Sequence, residues 1–249
     1  MEIKPPQPQL IIFDYGETVL SETPLNLIRA YAALRPYIRK NPHGLSIEQL
    51  AAADQELFDF FVHARGDKLE FQERVLLRLL FERLDIDLSI TLLQAEQIIW
   101  EAGAPARPTP GIISLLAQLR RRGIPSGIIS NLPWSGCLLE ARLQKSLPEH
   151  SFDFVITSSE YGVRKPSPLL FELALQKVKV SQHVSWFCGD NVRADIEGAY
   201  RTGITPVWYD PAPRTVQSGE PDRRLQPQCP HWHIRHWAEL SAKLDELSC

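Results

Sequence analysis

The segment Ile11–Thr18 reads Ile-Ile-Phe-Asp-Tyr-Gly-Glu-Thr, an apolar run that ends in a polar turn. The run, taken over residues 9–14, is too short for a helix and is typical of a buried strand. It carries one aspartate, Asp14, to the strand's end. The segment therefore predicts a first core strand that presents a carboxylate to solvent or to a ligand.

Three later segments have the same form, in which an apolar run ends in polar groups. Because the carboxyl ends of parallel strands meet at one edge of a sheet, we expect their polar residues to lie near Asp14. The segments are Ile128-Ile129-Ser130-Asn131, Arg164-Lys165-Pro166-Ser167-Pro168, and Gly189-Asp190-Asn191 with Asp195.

Strands and helices alternate after residue 111, which indicates βαβ units and a parallel sheet in an α/β fold. Glycines at 123 and 203 end two of the helices. We predict strands over 124–130, 153–157, 184–189, 204–208 and 231–235, and helices over 111–121, 134–146, 167–178, 192–202 and 237–247.

Residues 21–107 have a different pattern, because their apolar residues recur at helical spacing and give no strand signal. Ser46 and Gln49 form a predicted capping box. The pattern predicts an all-helical insert that ends in a proline-rich linker, and two core segments, 1–20 and 108–249. The predicted helices cover 24–38, 46–64, 70–84 and 91–102.

The residue types at the strand ends suggest particular chemistry. Asp14 can attack phosphorus or carbon as a nucleophile, or it can simply cap a turn. Ser130 and Asn131 suit a phosphoryl oxygen, although Ser-Asn-Leu-Pro is also an ordinary turn. Thr18 can position the nucleophile or begin a helix.

Lysine and carboxylates complete this set. Lys165, held between prolines, can neutralise a nucleophile and a transferring group, or be a solvated surface lysine. Asp190 at a strand end suits the oxygen shell of Mg²⁺. Asp195 can hold Lys165 or a metal-bound water, or it can interact with a helix dipole.

Cys229 with His231, His233 and His236 is a competing candidate for a metal site. The alternation of Pro230-His231-Trp232-His233-Ile234 fits a strand with outward histidines better. We therefore interpret this stretch as structural.

Composition narrows the class of partner. The chain has 249 residues and a net charge of -3, which gives no reason to expect nucleic acid or an anionic membrane as partner. No apolar stretch is long enough to span a bilayer, and the four cysteines form no C-x-x-C pair. We expect a cytoplasmic protein.

These four segments, in this order, resemble the haloacid dehalogenase (HAD) superfamily of aspartate-nucleophile hydrolases, over about 9–21 and 109–210. The resemblance implies a Rossmann-like three-layer sandwich with a helical C1-type cap, as in subfamily I. It implies Asp14 as nucleophile, phosphate contacts from Thr18, Ser130, Asn131 and Lys165, and Mg²⁺ held by Asp14, Asp190 and the backbone carbonyl of Gly16, with Asn191 and Asp195 in support.

The sequence departs from the family's phosphatases at Gly16, where they usually have a second aspartate that acts as acid and base. Glu17 is the candidate substitute, although a shift of one position usually turns a side chain away. Tyr15 or a cap residue is an alternative proton donor.

We expect a Mg²⁺-dependent phosphomonoester hydrolase of a small metabolite, as a monomer or homodimer. The alternatives are a C–halogen or C–P bond hydrolase of the same superfamily, or a non-catalytic phosphate-binding member. A Schiff-base mechanism would need a cap lysine, Lys40 or Lys68. The cap arginines that could meet an acidic substrate are Arg29, Arg35, Arg39, Arg65 and Arg74.

Overall fold

A computed structural model describes residues 6–211 and 226–247. Its centre is a six-stranded sheet in which each recorded pairing is parallel. This confirms the predicted α/β class. The proline-rich sequence over 211–230 predicts a loop, and residues 212–225 of it lie outside the described residues. The strands follow the order β10-β9-β8-β1-β6-β7 and comprise β1 (Leu10–Phe13), β6 (Ser126–Ser130), β7 (Phe152–Thr157), β8 (Ser185–Gly189), β9 (Thr205–Tyr209) and β10 (Trp232–Ile234).

Helices cover both faces of this sheet. Alternate residues of β1 face opposite ways, so Ile11 packs with one cluster of helices and Ile12 with another. The three layers explain why the core strands are apolar along their whole length. The helices are α5 (Ile112–Arg122), α6 (Gly136–Ser146), α7 (Ser158–Tyr161), α8 (Pro168–Val178), a π-helix (Val192–Glu197) that continues into α9 (Gly198–Arg201), and α10 (Trp237–Glu246).

The insert between β1 and α5 contains the four predicted helices. Ser46 and Gln49 form the predicted capping box, and Thr91 and Gln94 form a second one. None of the helices among the described residues has the length and apolar character that crossing a bilayer requires. The insert helices are α1 (Leu27–Leu34), α2 (Ile47–Arg65), α3 (Glu73–Arg83) and α4 (Leu92–Gly103).

The structure also contains two short antiparallel strand pairs that the sequence did not predict. One pair, β3 (Ile38–Lys40) with β4 (Asp87–Leu88), lies within the insert. The other pair, β2 (Leu20–Glu22) with β5 (Ala106–Pro108), lies where the chain enters and leaves the insert. Strands of two or three residues are too short to show an alternating pattern, and for this reason periodicity missed them.

The competing histidine stretch is part of the sheet. Its central residues form β10, as predicted, and the ring of His233 stacks on Trp208 with centroids 4.5 Å apart. Among the described residues, the group of side chains that could hold a metal ion does not include these histidines.

The interior of the insert holds a buried carboxylate pair. The Tyr31 hydroxyl donates to Asp54 Oδ2 at 2.7 Å, and Glu73 is buried nearby. Burial raises the pKa of Asp54 from 3.8 to about 6, and the hydrogen bond from Tyr31 opposes this rise. Burial and the charge of Asp54 also raise the pKa of Glu73.

The folded insert therefore holds a proton on Asp54 more tightly than the unfolded chain does. We expect the free energy of unfolding to fall as pH rises from about 4 to about 6, by up to roughly 3 kcal/mol from this group. In Asp54→Asn the fall should be smaller, with Glu73 supplying the remainder. Chemical denaturation at several pH values measures the slope.

The matched control is Asp59→Asn, which removes an exposed carboxylate from the same helix. The free energy of unfolding of Asp59→Asn should depend on pH with the same slope as that of the native protein. An equal slope in the native protein and in Asp54→Asn would contradict the assignment.

Candidate active site

The sheet order brings the predicted site residues together. Strand β1 lies between β6 and β8, so Asp14, Ser130 and Asp190 follow or end three neighbouring strands at one edge. The three residues are buried and line one cavity of about 270 Å³. The cavity also contains Asn131, Lys165, Asn191 and Asp195.

The Lys165 ammonium is the centre of the site. Its Nζ lies 2.6 Å from Asp14 Oδ1 and 2.6 Å from Asp195 Oδ1, and it donates to the Ile129 carbonyl at 2.8 Å. Burial alone would lower the pKa of Lys165, but the two carboxylates outweigh burial and hold the pKa above its usual value. Lys165 is therefore a fixed positive charge beside the Asp14 carboxylate.

The loop that carries Lys165 is held by Asn131. The Asn131 side chain accepts from the Lys165 amide at 2.8 Å and donates to its carbonyl at 2.9 Å. The Lys165–Pro166 peptide bond is cis. Both polar atoms of the Asn131 side chain are therefore bonded to this loop, and its predicted contact with phosphate would have to come from its backbone.

Asp195 is placed by the π-helix. Its Oδ2 accepts from the Asn191 amide at 3.0 Å, while the Asn191 side chain caps the helix by accepting from Arg193 and Ala194. A Cβ added at Gly189 would lie 2.4 Å from Asp195 Oδ2, so only glycine lets the carboxylate approach strand β8 this closely. This contact explains the glycine before Asp190.

The charges in the cavity favour a bound cation. Asp14, Asp190 and Asp195 each offer a carboxylate oxygen within 4.8 Å of the others, and all three are buried. Lys165 contacts Asp14 and Asp195, and the grouping of three buried carboxylates concentrates negative charge that a cation would stabilise. Oxygen ligands alone suit a hard divalent ion, so the donor set fits Mg²⁺.

Gly16 leaves open space in the cavity. A Cβ built on Gly16 meets no atom within 4 Å, and the residue lies outside the left-handed region. Glu17, by contrast, has a φ of 55°. Its carboxylate accepts from Ser21 Oγ at 3.1 Å and from the Glu22 amide at 3.3 Å, so it is held toward β2.

Thr18 does not reach the cavity, whereas Tyr15 lines it with its hydroxyl bonded to another residue. Thr18 is fully buried in a turn, not at a helix start as one alternative held, and it does not line the cavity. The Tyr15 hydroxyl donates to Glu22 Oε1 at 2.6 Å. Burial and the charge of Glu22 raise the pKa of Tyr15, which keeps its proton in place.

Sequence reasoning missed two charged residues that line the cavity, Glu22 and Arg164. Arg164 contacts the buried carboxylate of Glu70 from the insert, which also accepts from Ser158 Oγ at 2.8 Å. The proximity of Arg164 to Lys165 was a usable signal. Glu22 gave none, because two of its partners, Trp100 and Arg142, lie 78 and 120 positions away in the sequence.

Comparisons with known proteins agree with this geometry. A glyceraldehyde 3-phosphate phosphatase of Pyrococcus abyssi is 30% identical over 207 residues, or 81% of each chain. The crystal structure of a 2-haloacid dehalogenase from Pseudomonas syringae has a TM-score of 0.64 at 22% identity, covering 96% of this chain and 99% of that one.

A HAD-hydrolase of Bacillus subtilis, YfnB, solved with bound magnesium, has a TM-score of 0.54 at 20% identity and covers 96% of this chain and 99% of that one. The family model for haloacid dehalogenase-like hydrolases matches residues 8–203, which is most of the chain and includes every site residue described above. The chain therefore belongs to the haloacid dehalogenase-like hydrolases.

Proposed function

We propose that the protein is a Mg²⁺-dependent phosphomonoester hydrolase that acts on a small phosphorylated metabolite through an aspartyl-phosphate on Asp14. The observation that carries this proposal is the pairing of Asp14 with Lys165 beside the carboxylate of Asp190. A divalent cation held by these carboxylates would offset their charge, and together with Lys165 it would attract an anionic phosphoryl group. The phosphatase of Pyrococcus abyssi supports this choice of substrate class.

The chemistry of the first step follows from these contacts. An Asp14 oxygen attacks phosphorus, the bond from phosphorus to the leaving oxygen breaks, and the leaving oxygen takes a proton from Glu17 or from solvent water. Lys165 stabilises the negative charge that the phosphoryl oxygens carry. The hydroxyl of Ser130 and backbone amides near Asn131 hold the same oxygens. Water then hydrolyses the aspartyl-phosphate and restores the Asp14 carboxylate.

The metal would be held by Asp14, Asp190 and the carbonyl of Gly16. When bound, Mg²⁺ would neutralise charge between the phosphoryl group and the carboxylates. Asp195 and Asn191 support this arrangement by fixing Lys165 and the turn after Asp190.

The insert, residues 21–107, would act as a C1-type cap of subfamily I, over a core formed by 1–20 and 108–249. It would close the cavity against water and select the substrate, in a monomer or homodimer. Of the residues that line the cavity, Thr23, Pro24, Leu25 and Ala104 come from the predicted cap, along with Glu22.

One observation favours a second candidate, a C–halogen hydrolase. Halide leaves without a proton, so Gly16 would be no handicap, and the fold is similar to that of a 2-haloacid dehalogenase. The C–P alternative has less support, because neither Lys40 nor Lys68 is among the residues that line the cavity in the described part of the chain.

The first prediction concerns Asp14. Asp14→Asn should abolish phosphate release from a panel of phosphorylated metabolites and an aryl phosphate, because the amide is not a nucleophile. Chelation with EDTA should have the same effect on the native protein. A colorimetric phosphate assay measures both.

The control for this experiment is Asp87→Asn, an exposed carboxylate of β4. It should retain native activity. Undiminished release by Asp14→Asn would refute the mechanism, whereas metal-independent halide release from a 2-haloacid would support the second candidate. No turnover of any substrate, with phosphate still bound, would indicate a non-catalytic member.

The second prediction concerns Gly16. Because its Cβ position is open, Gly16→Asp should fold normally and place a carboxylate beside the leaving oxygen. Acid–base help is worth about 10²–10⁴-fold, so we expect kcat for alkyl phosphates to rise by at least roughly tenfold. Aryl phosphates, with good leaving groups, should gain less.

Gly16→Asn is the matched control, since it has the same shape without a titrating proton. It should show no gain. Glu17→Gln tests the other candidate acid in the same assay, and a large loss there would assign the proton transfer to Glu17. An equal gain in Gly16→Asp and Gly16→Asn would exclude acid–base help as the cause.

A further inference from the structure

A partly buried carboxylate, Glu22, lies where the insert begins and lines the cavity. The residue ends strand β2, and its partner in β5 is Ala106. The Thr23 amide donates to the Pro105 carbonyl at 3.1 Å, which continues the pairing. Both crossings between the core and the insert therefore run beside Glu22.

One oxygen of Glu22 accepts hydrogen bonds from three separate parts of the protein. Oε1 accepts from the Tyr15 hydroxyl at 2.6 Å and from Trp100 Nε1 at 3.0 Å. It also accepts from the Arg142 guanidinium. Tyr15 follows Asp14, Trp100 belongs to insert helix α4, and Arg142 belongs to core helix α6. The carboxylate thus connects the nucleophile's loop, the insert and the core.

Packing around this carboxylate extends the connection. The Arg142 guanidinium lies 3.9 Å from the centre of the Trp100 ring and donates to the Ala104 carbonyl at 2.8 Å. Trp100 in turn stacks on Trp134, which lines the cavity, with centroids 5.2 Å apart. A movement of the insert would have to break these contacts together.

We propose that Glu22 is a positioning residue, which sets the insert over the cavity and holds the loop of Asp14 and Gly16 in register with it. The proposal rests on the proposed function for its kinetic part. Glu22 acts through Tyr15, whose hydroxyl bonds to Glu22 while its backbone continues from Asp14. Loss of this link should misplace Asp14 relative to a substrate held by the insert, with little effect on the metal ligand Asp190.

Two variants test the link at different strength. Glu22→Gln keeps the shape but leaves Arg142, which is 6% exposed, without its charged partner. Tyr15→Phe removes only the hydroxyl and leaves the ion pair intact, so it remains informative if Glu22→Gln folds poorly. The matched control is Glu96→Gln. Glu96 is a buried carboxylate that also joins the insert to the core, through Ser135 N and Oγ at 2.6 and 2.7 Å, but it does not line the cavity.

The experiment combines phosphate-release kinetics with hydrogen–deuterium exchange of the full chain. In Glu22→Gln and Tyr15→Phe we expect kcat to fall by about 10- to 100-fold with a smaller change in KM, since small misplacements of reacting groups have effects of that size. Exchange should rise in residues 15–22 and 100–108. Glu96→Gln should keep native kcat and show raised exchange around Ser135 instead.

Two results would overturn the proposal. One is native exchange at residues 15–22 in both test variants, and the other is an equal loss of kcat in all three variants. Absence of turnover in the native protein would count against the proposed function only, and the exchange result would then decide the role of Glu22. A pure proton-donor role for Tyr15 would lower kcat in Tyr15→Phe while leaving exchange unchanged.

Discussion

The contact between the Lys165 ammonium and two buried carboxylates is the constraint on which the rest of the site depends. Lys165 is 2% exposed, and a single buried charge would cost several kcal/mol without partners. Asp14 and Asp195 supply those partners from opposite ends of the core sequence. The cluster can exist only if the strands and loops that carry these residues are brought to one edge of the sheet.

The parallel sheet satisfies this requirement with few specialised residues. Neighbouring strands β6, β1 and β8 end at the same edge of the sheet, so residues that are far apart in the sequence lie close together there. Local devices then adjust each side chain: Asn131 holds the Lys165 backbone on both sides, and Gly189 gives Asp195 room beside β8. The fold supplies proximity, and hydrogen bonds to the backbone supply orientation.

The sequence predicts the fold well, but it predicts the hydrogen bonds that orient the side chains much less well. Apolar runs and helical spacing are local signals, and they were sufficient for the sheet, the insert helices and the α/β class. The π-helix at Val192–Glu197 was predicted only as part of a regular helix, because its wider turn has no distinct spacing signal. The Glu22 contacts join residues 78 and 120 positions apart, and no pattern within one segment reports such a pairing.

Family membership alone does not determine which reaction the protein catalyses. Two features of the site bear on this question, and they favour different reactions. Gly16 stands where the family's phosphatases usually have the acid that protonates a leaving oxygen, and under the proposed function its lack would favour leaving groups that need no proton. The cluster of three buried carboxylates favours a divalent cation, which halide displacement does not need. Of these two, the charge argument weighs more. Three buried carboxylates close together repel one another in the folded protein whatever the substrate, and a cation would relieve that repulsion. A missing acid only slows one step, by a factor that depends on the leaving group. Under the proposed function, this carboxylate cluster would hold a cation that faces an anionic substrate, and Gly16 would restrict which phosphate esters are cleaved efficiently.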